Sequence, residues 1–254
     1  MSHFKHVKIS KHIIVIEDPQ NVKMFLIEGK DKAMLIDTGY GVEDLSEYVE
    51  KLTKLPYEVL CTHWHGDHVL GMKYFDKSYL PSEEISFLEG EMKSKFVPLS
   101  GNKIFDLGGV TLHTMILSGH TVSCTTVLIE EERIIILGDA CNTHTWMFLD
   151  GCSTIGEYAK YLADFKAAHL HKFDKVLFSH GETKLFDKTV IDECMELCYE
   201  ILEGKDDKQP YNAEEIGFHK DDVKIAKKQI NGVYREDGKV ANIFYHVDKI
   251  RSAY

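Results

Sequence analysis

Residues 63–68 read His63-Trp64-His65-Gly66-Asp67-His68, and no local turn can use so many imidazole and carboxylate donors by itself. A metal ion held by such side chains takes about four donors spread in space, more than one tight loop can place around it. The fold must therefore bring distant segments to this loop. Imidazole mixed with carboxylate suits zinc, manganese or iron, whereas calcium takes an oxygen-only shell.

The residues before the cluster supply a platform. Positions 57–62 are apolar and β-prone at their centre, which predicts a buried strand ending where the histidines begin. Gly66 can adopt backbone angles closed to other residues and lets the chain fold back. The same grammar recurs three times further on. A run at 110–117 leads into Ser118-Gly119-His120, one at 133–137 into Gly138-Asp139, and one at 175–178 into Ser179-His180-Gly181. Each run is a predicted strand followed by a potential ligand.

Between these runs the periodicity predicts helices over 42–55, 83–95, 155–169 and 187–202, the layered alternation of an α/β protein. Pro56 is expected to stop the first. Beyond Gly204 the chain becomes charged and irregular, so a soft boundary is drawn between residues 1–204, a catalytic domain, and 205–254, an extension packed on it. The extension is expected to hold a helix at 220–229 and a strand at 240–247, too little to bury a core alone. It would form an edge hairpin or a wall of the substrate cleft.

With these residues in view, the chain resembles the metallo-β-lactamase superfamily of metallohydrolases. Its His-x-His-x-Asp-His motif is matched by His63, His65, Asp67 and His68; its Gly-His by Gly119-His120; its Gly-Asp by Gly138-Asp139; its last histidine by His180. Leu35-Ile36-Asp37-Thr38-Gly39 is similar to the family's early Asp-Thr-Gly segment, so the likeness covers roughly residues 10–185.

The resemblance implies an α/β fold of four layers, an αβ/βα sandwich with a two-metal site at one edge. His63, His65 and His120 would hold the first metal, and Asp67, His68 and His180 the second. Asp139 would bridge them, and Asp67 and Asp139 are the carboxylates expected at the chemistry. Two zinc ions are the implied cofactors, with iron or manganese as alternatives. The implied activity is hydrolysis of a small ester, thioester, lactone or phosphodiester by a metal-bridging hydroxide, the ions lying about 3.5–4 Å apart.

Other readings stay open beside it. Similar sulfur dioxygenases hold a single iron through two histidines and an aspartate. Similar acyl-homoserine lactonases carry a tyrosine three residues after the bridging aspartate, where this chain has Asn142. The basic carboxy-terminal helices of glyoxalase II-like thioesterases are not matched, true β-lactamases lack the aspartate seen here as Asp139, and the family's nucleases carry a large inserted domain. Neither a Gly-x-Ser-x-Gly elbow nor a phosphate loop ending in Gly-Lys-Ser/Thr occurs.

Around the ligands, Tyr40, Trp64, His144 and Trp146 are candidates for the cleft, and Asp37 for a buried carboxylate that orients a ligand loop. A net charge of −11 disfavours nucleic acid and anionic membranes as partners and leaves a small molecule. The six cysteines include no Cys-x-x-Cys pair and are expected to be reduced, with Cys141 a packing residue. The polar start Met1-Ser2-His3-Phe4 and the lack of an 18-residue apolar run predict a cytoplasmic protein.

Overall fold

The computed structural model describes residues 3–219, 221–232 and 234–251; Met1, Ser2 and Lys220, on which sequence expectations fell, lie outside them. A seven-stranded sheet is laid down in chain order: Lys5–Lys8, Ile13–Glu17, Lys23–Glu28, Ala33–Ile36, Tyr57–Leu60, Ser78–Pro81 and Phe96–Leu99. Its first four strands form an antiparallel meander and the rest run parallel. A six-stranded sheet follows, with Ile134–Gly138 and Lys175–Phe178 parallel near its middle.

The central strands are near-continuous apolar runs, so successive side chains bury alternately on the two faces of each sheet. In the first sheet, Ile13, Val15, Phe25, Ile27, Met34 and Ile36 face the second, where they meet Leu112, Val127, Ile129, Ile134 and Ile136. Their alternating neighbours, among them Ile16, Met24, Leu26 and Leu35, pack outward on Leu45 and Val49 of the helix Leu45–Leu52. On the other side, Leu128, Ile135 and Leu137 pack on the helices Ile155–His169 and Val190–Glu203. The result is the expected four-layer αβ/βα sandwich.

Local chemistry sets the helix ends. The first helix begins at Leu45 because the Asp44 side chain accepts from the amides of Ser46 (2.9 Å) and Glu47 (3.2 Å). It ends at Leu52, three residues before the expected limit, as Thr53 takes extended backbone. The helix Ile155–His169 matches its predicted range and opens on a reciprocal Thr154–Glu157 capping box. The helix expected over 83–95 is instead two short pieces, Ser82–Ile85 and Gly90–Ser94, because Gly90 adopts a left-handed φ of +56°.

The extension needs the larger correction. No helix spans 221–229; Val223–Ile225 and Gln229–Ile230 are strands. Alternation of Val223 and Ile225 outweighs any helical spacing, since Val223–Ile225 pairs antiparallel with Ile243–His246. That strand pairs parallel with Thr145–Met147, and Gln209–Pro210 completes a four-stranded sheet. Ala226, Ala241, Ile243 and Tyr245 join the same buried cluster as the helix Ile155–His169, so the extension shares its core with the rest through these residues. All six cysteines are free, and Cys141 is buried in that cluster. Among the described residues, no helix is long and apolar enough to cross a membrane.

Candidate metal centre

Four strand ends at one edge of the sandwich deliver the sequence-predicted ligands, and they fall into two groups: His63, His65 and His120, then Asp67, His68, Asp139 and His180. In the first, His63 Nε2 and His120 Nε2 lie 3.1 and 3.0 Å from His65 Nδ1. At most one proton, on His65 Nδ1, can serve both contacts. His120 Nδ1 donates to the Trp146 carbonyl (2.8 Å), which can only accept, so its Nε2 is a bare lone pair. His63 Nδ1 sits 3.0 Å from Thr62 Oγ1, whose hydroxyl is spent on the Asp37 carboxylate, so it too donates and leaves Nε2 bare. Lone pairs converging at this separation match ligands about 2.0 Å from one tetrahedral ion.

The second group is held by the same carboxylate. Asp37 takes a left-handed φ of +64° and is wholly buried. It accepts from the Thr62 amide at 2.7 Å and from His68 Nδ1 at 2.8 Å. It thus orients one imidazole in each group, the arrangement common behind metal-binding histidines. His68 Nε2 is buried without a hydrogen-bond partner and faces Asp67 and Asp139 at 3.4 Å each. His180 Nε2 lies 3.2 Å from Asp67 and 3.1 Å from Asp139, whose Oδ2 is also 3.8 Å from His120 Nε2. The donor set fits divalent metal in both places. Gly119 carries His120 because a Cβ there would fall 2.2 Å from the Tyr158 ring, at a φ of +143°.

The two groups have opposite electrostatics. Burial holds His65 down to about 3 and lowers His63 and His120 as well. Burial also opposes charge on His68 and His180, yet the neighbouring carboxylates override it, raising His68 well above the usual range and His180 to about 9. The metal-free protein should therefore lose stability as pH falls below the ordinary histidine value of 6.5, where the first group would have to take up protons. It should also lose stability as pH rises from 6.5 through about 9, the interval in which folded His180 keeps a proton that the unfolded chain has given up. Metal would replace the protons on the second group. Melting curves from pH 5 to 9.5 should show a maximum near neutrality for chelator-treated protein and no alkaline decline once metal is added; a flat profile without metal would refute the assignment.

Of the remaining candidates, Tyr40, His144 and Trp146 line a cleft of about 860 Å³ that opens over His65, Asp67, His120, Asp139 and His180. Trp64 is not among its lining residues. It stacks on Phe87 at 4.9 Å with an interplanar angle of 9°, since its position between two inward-pointing histidines turns it to the other side of the loop. Asn142 is buried, its Nδ2 3.4 Å from Asp139 Oδ1.

Three residues carried no readable signal in the sequence. Glu84, fully buried, accepts from Thr121 Oγ1 and the Ser123 amide at 2.7 Å each and from the Trp64 amide at 3.2 Å, tying the loop of His63 and His65 to that of His120. Lys23, 1% exposed, donates to the Gly181 carbonyl while its amide donates to the Ser179 carbonyl, and so brackets His180. Gln229 reaches the cleft from the extension, its Nε2 3.1 Å from His144 Nε2.

Two donor groups on strand ends, oriented by a shared buried carboxylate and opening on one cleft, define a divalent-metal site of the metallohydrolase type. The chain belongs to the metallo-beta-lactamase superfamily, whose family model matches residues 18–180. Its curated relatives include lactamase-like protein ptaB of Pestalotiopsis fici, 23% identical over 167 residues (64% of this chain, 51% of that protein). They also include atrochrysone carboxyl ACP thioesterase dmxR1 of Cryptosporiopsis sp., 26% identical over 168 residues (64% of this chain, 49% of that protein). The chain spans about half the length of these relatives. Among solved structures, a metallo-beta-lactamase from Pontibacter korlensis is similar with a TM-score of 0.65 and 18% identity, over 78% of this chain and 99% of that one. At that identity the likeness speaks for the fold.

Proposed function

We propose that the chain is a divalent-metal-dependent hydrolase that holds two ions, zinc by preference, and cleaves an ester or thioester. The observation that carries this reading is the pair of donor groups facing one cleft within reach of a common carboxylate, Asp139. His63, His65 and His120 would hold the first ion, Asp67, His68 and His180 the second, and Asp139 both. Bound there, the ions would supply an activated water and Lewis acidity toward the scissile carbonyl.

The protein's own part is positioning. Asp37 fixes the tautomers of His63 and His68, the Trp146 carbonyl fixes that of His120, and Asn142 steadies the outer oxygen of Asp139. Among the described residues lining the cleft there is no lysine or arginine, which favours a neutral acyl centre over an anionic phosphodiester. The thioesterases among the relatives support the thioester within that choice. Water adds to the carbonyl carbon, the carbon–sulfur bond breaks, and the proton passes to the departing thiolate. The absence of clustered positive charge in a chain of net −11 supports a small-molecule or carrier-bound substrate rather than nucleic acid, and a cytoplasmic setting would suit six free thiols.

Elemental analysis of protein purified without added metal or chelator tests the reading. About two zinc ions per chain, with thioester hydrolysis abolished by chelator and restored by zinc, is the expected result. One iron per chain with oxygen consumption in place of hydrolysis would replace it by an oxidoreductase.

A further inference from the structure

We propose that the outer wall of the cleft is a binding site for an uncharged aromatic acyl group bearing a hydroxyl at its far end, and that the segment from 205 onward imposes this preference. The proposal rests on the hydrolase reading above for the position of the reacting carbonyl.

Register carries the argument. Trp146 pairs with Phe244, Phe244 with Ile225 and Ile225 with Gln209, so these four side chains form one row across one face of the four-stranded sheet. All four line the cleft. The row is fixed relative to the metal centre because its first member gives the carbonyl that holds His120. Tyr211 adds an edge-to-face ring 4.9 Å from Phe244 and lies 6.3 Å from Trp146, also facing the cleft. A wall built from three rings gains from an aromatic ligand beyond the apolar area covered. Ile216, 49% exposed at the cleft, is the uncovered apolar surface such a ligand would shield.

Size and polarity narrow the class. A cleft of about 860 Å³ is in the range of drug-sized ligands and far larger than an acetyl group needs. Among the described residues neither lysine nor arginine lines it, so a charged acyl tail would find no cationic side chain along the wall away from the metal centre. At the end of the row remote from Trp146, Gln209 Oε1 is buried with no hydrogen-bond partner. A buried acceptor left unpaired is costly, and because Gln209 lines the cleft, a rotation of its side-chain amide would present the oxygen to a ligand hydroxyl.

The test uses the full chain loaded with zinc and N-acetylcysteamine thioesters of acetate, octanoate, 2-naphthoate and 6-hydroxy-2-naphthoate. Expected is a kcat/KM for naphthoyl about 100-fold above acetyl and above octanoyl, with a further gain for the hydroxylated acyl that Gln209→Leu abolishes. Tyr211→Ala and Ile225→Ala should each compress the naphthoyl-to-acetyl ratio about tenfold while two zinc ions remain bound. Equal rates across the series, or preference for octanoyl, would overturn the acyl site and leave the hydrolase standing. Binding of free 6-hydroxy-2-naphthoate, followed by its fluorescence, separates the two ideas. Saturable binding weakened by Gln209→Leu without any thioester cleavage keeps the site and sinks the hydrolase, and no binding sinks the site.

Discussion

Replacing Asp139 by alanine should lower kcat/KM by about 1000-fold, equivalent to about 4 kcal/mol of lost transition-state stabilisation, in protein that still folds. Among the described residues its Oδ2 is the one carboxylate oxygen within 3.8 Å of imidazoles from both donor groups, His120 on one side and His68 and His180 on the other. In the two-ion reading proposed above, removing it would leave each ion one ligand short and free their spacing. Bound zinc should drop from two to about one per chain, read by elemental analysis beside steady-state kinetics. Unchanged turnover in fully loaded protein would end the shared-carboxylate assignment.

Glu84→Ala should have the second-largest effect, and on binding of metal as well as on folding. Burying a carboxylate with no cation beside it is expensive unless its oxygens are fully used, and here three donors use them. Alanine would strand those donors and open a cavity, costing about 3 kcal/mol of stability. The loops of His63, His65 and His120 would also lose their common anchor, weakening zinc in the first group by about 10- to 100-fold. Competition with a chromogenic chelator gives the affinity, and thermal melts the stability. Glu84→Gln, which keeps the shape and one acceptor, should recover part of both. If Glu84→Ala binds zinc as tightly as the parent, the carboxylate is only a packing element.

Seven donors stood out in the sequence for a local reason. Each follows a strongly apolar strand, and a polar ligand at a strand end is a short-range pattern that needs no knowledge of what the strand pairs with. Asp37 was legible in the same way, as a carboxylate closing an apolar run. The near-continuous apolar runs in Ile13–Glu17, Lys23–Glu28 and Ile134–Gly138 are likewise local, and they are what a strand covered on both faces requires. The extension misled because Val223 and Ile225 lie in too short a stretch for period alone to choose between helix and strand; pairing with Ile243–His246 decided it. Trp64 misled for a similar reason, since spacing places it beside ligands without saying which side of the loop it occupies.

What the sequence by itself determined was the donor set, the strands that present it and the layered α/β class, all properties of neighbours along the chain. Only the tertiary structure decided which donors share a group, that Asp37 reaches both, that Glu84 and Lys23 brace the ligand loops, and that Gln209, Tyr211, Ile225 and Phe244 of the extension wall the cleft. Those facts depend on contacts between segments 20 to more than 150 residues apart. Such contacts arise from how two sheets close on a common core, and no local periodicity carries them.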